Sequence, residues 1–112
     1  MFGTKTKTLV QIRANVPWQA FRDEATGRWY AVCRPLNLNA VGDSWTDMLE
    51  TAADAIDVLF RSLMREGELE RFLRRNGWAP LQQLPTEGRV QFDVPFTVEQ
   101  RARYEELDLT PA

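Results

Sequence analysis

The chain has 112 residues, enough for one domain with a modest core, and its 44% hydrophobic and 27% charged residues are the balance of a folded protein rather than a disordered one. A formal net charge of -2 and a pI near 5.2 give no global attraction for phosphate, so nucleic-acid binding would need a local basic patch. Histidine is absent, which excludes Ser-His and Cys-His catalysis, histidine metal sites and histidine general bases together; the single cysteine, Cys33, has no partner for an internal disulfide.

Met1 to Thr8 lacks the apolar run of a signal peptide, and no stretch approaches a membrane span, so the expected location is cytoplasmic. Thr8, Val10, Ile12 and Ala14 then alternate with Leu9, Gln11, Arg13 and Asn15, the period of two of a strand, which Pro17 is expected to break. Trp18 to Arg22 opens a second apolar-rich run. Asp23 to Gly27 carries turn chemistry, with Gly27 free to take a positive φ. Arg28 to Arg34 reads as a third strand, rich in aromatic and β-branched residues. Trp29, Ala31 and Cys33 face one way and Tyr30 and Val32 the other, so both faces are apolar. One face should meet a helix; the other needs cover from the C-terminal segment or from a second chain.

Pro35 to Val41 reads as a linking stretch, extended at Leu36 and Leu38 at most, closed by Gly42-Asp43. Ser44 to Asp47 matches a capping box, in which the Ser44 hydroxyl accepts the Asp47 amide. From Trp45 to Met64, apolar residues recur at three- and four-residue steps, a broad amphipathic stripe. Asp47, Glu50, Asp54, Asp57 and Arg61 fall on the opposite face. Gly67 ends or bends this helix. Glu68 to Asn76 predicts a shorter helix with Leu69, Phe72 and Leu73 inward, stopped by Gly77, with Trp78 folding back. Ala79 to Gly88 is a loop by its Pro80, Pro85 and Gly88. Val90, Phe92, Val94 and Phe96 alternate with polar residues in a late strand, which Pro95 places at an edge or at the strand's end. Thr97 to Glu106 predicts a final short helix.

The stretch from Trp18 to Ile56 resembles the HicB-like antitoxin family. The resemblance lies in Trp18-Gln19-Ala20, the acidic turn Asp23 to Gly27, Tyr30-Ala31-Val32-Cys33-Arg34-Pro35-Leu36, the helix start Gly42-Asp43-Ser44, and Glu50, Ala52, Ala53, Ala55 and Ile56 within the helix. It covers about residues 6 to 66, a little over half the chain. It implies a β-β-β-α-β fold, often described as a partial ribonuclease H fold, that binds and blocks a small ribonuclease toxin. Many members add a C-terminal DNA-binding module. After residue 66 this chain departs from that pattern, with a strand and one helix where a helix-turn-helix would stand.

These readings together predict an α+β protein: one antiparallel sheet of three to four strands on one long amphipathic helix, in β-β-β-α-α-β order. Residues 1-112 are expected to form a single HicB-like domain, with 67-112 a C-terminal extension, as the resemblance implies. The expected role is non-catalytic, with no cofactor and no metal: binding a protein partner (a small ribonuclease toxin if the resemblance holds), as a homodimer. The candidate partner surfaces are the acidic residues Asp47, Glu50, Asp54 and Asp57, which could mimic RNA phosphates, and the late edge strand Val90, Phe92 and Val94. The alternative is a nucleic-acid-binding regulator that uses Arg89 to Arg103 or the arginines Arg61, Arg65, Arg71, Arg74 and Arg75; Arg71, Arg74 and Arg75 are its candidate contacts. A degenerate metal-dependent nuclease using Asp23 or Glu24 with Asp43 is a third class, although turn carboxylates usually serve their turns.

Overall fold

The structure, a computed structural model, describes residues 8–85 and 88–101. In chain order these form β1 (Thr8–Arg13), β2 (Val16–Arg22), β3 (Trp29–Cys33), β4 (Leu38–Gly42), α1 (Trp45–Arg65), α2 (Leu69–Arg75), β5 (Ala79–Pro80), β6 (Val90–Asp93) and β7 (Phe96–Gln100). The α+β class agrees with the sequence reading. The arrangement differs from it: there are two sheets, of three strands in the order β5-β1-β6 and of four in the order β4-β3-β2-β7. Both are mixed rather than antiparallel, because β6 runs parallel to β1 and β7 parallel to β2. Parallel pairing needs a crossover, and the helical segment between β4 and β5 supplies its length.

The chain groups into two compact units. One takes the described residues of Met1–Ala14 and Asp57–Pro95, the other those of Asn15–Ile56 and Phe96–Ala112.

In the first unit, β1 sits between β5 and β6, and its alternation puts Val10 and Ile12 in the interior. Val90 and Phe92 of β6 and Leu69 and Leu73 of α2 are buried there too. Phe60 is fully buried at the centre of an aromatic cluster, with ring centroids 5.6 Å from Phe92, 5.8 Å from Phe72 and 6.3 Å from Trp78. Both helices end on glycines in the left-handed region. Gly67 (φ 73°) lets the Glu68 amide donate to the Leu63 carbonyl and its own amide to Met64; Gly77 (φ 72°) does the same for Trp78 onto Leu73. That bond swings Trp78 back to within 5.9 Å of the Phe72 ring, as its place after Gly77 predicts.

In the second unit, β2, β3 and β4 form an antiparallel meander and β7 adds to β2 in parallel. The Asp23–Gly27 turn is built as its sequence suggests: the Gly27 amide donates to the Asp23 carbonyl, Gly27 has φ 75°, and the Thr26 hydroxyl donates to the Asp23 carboxylate at 2.8 Å. Ala20, Ala31 and Ala40 align in register across three strands, all buried. Gly42, two residues beyond Ala40 on that face, lies against the first turn of α1: a Cβ there would sit 2.7 Å from the Asp47 carbonyl carbon. The missing side chain of Gly42 thus lets the first turn of α1 approach β4 closely. The Ser44 hydroxyl caps α1 by accepting the Asp47 amide at 3.1 Å, and Met48, Ala52 and Ile56 are fully buried.

Five local expectations are corrected. The stretch read as a loop from Ala79 opens with β5, whose Ala79 and Pro80 pair antiparallel with Arg13 and Ile12 of β1. Pro17 lies inside β2, and the strand break falls at Ala14-Asn15. Pairing of β2 with β3 starts at Gln19, so the missing Pro17 amide costs no ladder bond on that side. The stretch read as a linker contains β4, whose Ala40 and Gly42 are buried on the helix side. Val90 to Phe96 is two strands rather than one, with Val94-Pro95 between β6 and β7. Finally, Phe96–Gln100 is strand β7, not the start of a helix; the rest of the expected helix lies outside the described residues.

Candidate interaction surfaces

The acidic face divides in two. Asp47, Glu50 and Asp54 are exposed on α1, and among the described residues none of the three joins an ion pair. Asp57 does different work. Its side chain is only 18% exposed; one carboxylate oxygen accepts the Phe92 amide at 2.8 Å and the other the Arg61 Nε at 3.1 Å. Sequence periodicity places Asp57 on the polar stripe but cannot show that this stretch of helix lies beside a strand edge with an open amide.

Pro95 lies beyond the end of β6, which is an edge strand of its sheet, but this strand does not offer its apolar side chains. Val90, Phe92 and Val94 are buried, at 5%, 5% and 7% exposure. Asp57 already occupies the Phe92 amide on the outer edge of β6. The opposite side of this sheet is closed in a related way. Past the short β5, the Gln82 side-chain amide accepts from the Gln11 amide at 3.2 Å and donates to the Leu9 carbonyl at 2.7 Å, standing in for a strand residue beside β1. Closed edges of this kind prevent strand addition.

The arginines divide as well. Arg71 pairs with Glu68 at 3.2 Å and Arg74 with Glu70 at 3.5 Å, all on or beside α2, while Arg75 is exposed in its last turn. Glu70 and Arg74 also line a cleft of about 510 Å³ beside Trp78, Pro80 and Leu84. A second cleft, of about 310 Å³, brings together Asp57, Arg61, Met64, Arg65, Gly88, Arg89 and Val90. Arg61 and Arg65 stand one helical turn apart in sequence, but nothing in the pattern predicts Arg89 beside them.

The turn carboxylates serve their turns. Asp23 receives Thr26 and the Ala25 amide, and Asp43 pairs with Arg28 at 3.1 Å. Among the described residues, no three acidic or cysteine side chains are grouped to hold a metal ion. Cys33 is buried in β3, and burial pushes its thiol up from the ordinary value against a smaller lowering by the Leu36 backbone hydrogen bond, so the thiolate needed for nucleophilic attack is disfavoured. No described helix is long and apolar enough to cross a membrane. Comparison with family models, with curated proteins and with solved structures finds no match for this chain.

Proposed function

We propose that this chain is a non-catalytic protein-binding module of the HicB-like antitoxin kind, which docks a small basic ribonuclease on the exposed stripe of α1 and pairs with a second copy of itself. The observation that carries the reading is the order of the second unit. Three antiparallel strands precede a helix there and β7 lies parallel to the first of them, an order that supports a β-β-β-α-β reading, although the sequence reading took β1 as the first of its strands and the β4 stretch as a linker. On the helix of that unit, Asp47, Glu50 and Asp54 present three carboxylates at helical spacing with no internal cation among the described residues. Such a row repels nucleic acid, steers a basic protein and offers carboxylates where that protein would otherwise hold RNA phosphates.

For self-pairing, the available strand is β4. It is the end of its sheet, and Leu38–Gly42 contains neither a charge nor a proline, the usual deterrents to pairing with another chain. Two copies of β4 meeting antiparallel across a two-fold axis form a closed, symmetric contact.

The test is inhibition. A small basic ribonuclease encoded beside this chain should lose RNA cleavage when the purified chain is added, and Asp47→Lys/Glu50→Lys/Asp54→Lys should restore it. Cleavage that persists in excess of the unaltered chain ends the toxin reading. Light scattering at micromolar concentration should give twice 13.0 kDa; a single-chain mass removes the dimer. The regulator reading has less behind it, because Arg71 and Arg74 are paired with glutamates and the described start of the expected terminal helix is a strand.

A further inference from the structure

We infer that the cleft lined by Arg61, Arg65 and Arg89 binds a phosphate group. Three guanidinium side chains line one polar cavity of about 310 Å³, together with a single carboxylate, Asp57. That carboxylate is already engaged: one oxygen takes the Phe92 amide and the other the Arg61 Nε. The Asp57–Arg61 pair is therefore close to neutral as a unit. Arg65 and Arg89 have no carboxylate partner among the described residues; Arg65 makes a long 3.5 Å approach to the Ser62 hydroxyl. Two charges without a carboxylate partner thus line a cavity whose walls also include Arg61.

Guanidinium groups present planar forks of donors that match phosphate oxygens, and they stay charged at every accessible pH. The volume sets the size of the ligand. It lies at the small end of ligand pockets, which run from about 300 to 1,000 Å³, so it suits a phosphate with a small substituent or one backbone phosphate rather than a large cofactor. The site is on the first unit, whereas the acidic stripe proposed for the protein partner lies on the second, so either can fail without the other.

Titration calorimetry with inorganic phosphate should show saturable binding to the full chain. Arg65→Ala/Arg89→Ala should weaken it by about tenfold or more, given the usual strength of hydrogen bonds to charged groups. Both side chains are exposed, so the urea midpoint should hold; Arg61 is left in place because it orients Asp57. The control is Arg71→Ala/Arg75→Ala on α2, which should leave phosphate binding as it was. Displacement of bound phosphate by a short RNA carrying a 5′-phosphate, but not by the same RNA without it, would identify a terminal phosphate as the source. Displacement by both would identify backbone phosphates, and by neither a free anion. No saturable binding overturns the site, as does binding that survives loss of Arg65 and Arg89 or falls equally in the α2 control.

Discussion

The two sheets treat their edges in opposite ways. In the first unit, the helix side packs around large rings, with Phe60 among Phe72, Trp78 and Phe92, and side chains close the strand edges: Asp57 on β6 and Gln82 beside β1. In the second, the buried face of the sheet carries Trp18 as well as Ala20, Ala31 and Ala40, Gly42 lies against the backbone of the first turn of α1, and the sheet ends on an uncharged β4. At Gly42 the absence of a side chain admits the backbone of α1, whereas around Phe60 rings fill the volume. The comparison teaches where association can occur: a sheet with closed edges keeps to itself, and a sheet that ends on a neutral strand can take another.

The largest break in this contrast is Phe60→Ala. Removing the ring common to three aromatic contacts should destabilise by about 3–5 kcal/mol, read from the urea midpoint. Gly42→Ala attacks the other design. Its methyl would overlap the backbone of Asp47 and Met48, which cannot give way as a flexible side chain could, so a loss of about 1–3 kcal/mol is expected. If Gly42→Ala proves neutral, the close approach of α1 to β4 is wrong.

The edge closures can be separated by removing each. Asp57→Ala leaves the Phe92 amide unpaired and should cost about 1–3 kcal/mol, with faster hydrogen exchange at Phe92; Asp57→Asn, which keeps an acceptor, should lose less. Gln82→Ala frees groups that water can reach and should cost only about 0.5–1.5 kcal/mol. Equal losses at the two sites would mean that burial does not distinguish them.

The smallest effect is a pH dependence confined to the second unit. Burial raises the folded pKa of Cys33 above its unfolded value, so the neutral thiol's contribution is complete below the unfolded pKa and is lost as pH rises through the folded one. Stability should therefore fall on the alkaline side, and in urea titrations Cys33→Ala should lack that component of the fall.

Sequence alone determined the local pieces whose causes are local. The cap at Ser44, the glycine stops at Gly67 and Gly77, the return of Trp78 and the Asp23–Gly27 turn all depend on neighbours within a few residues, and all are found. The two-faced third strand was legible because side chains alternate by geometry alone. What only the tertiary structure decided is which distant segments lie side by side: β6 parallel to β1, β7 parallel to β2, Asp57 at the amide of Phe92, and Arg89 beside Arg61 and Arg65. Hydrophobic periodicity says which face of an element is buried but carries no information on its partner, so the direction of pairing and the closing of an edge arise only when the chain has folded.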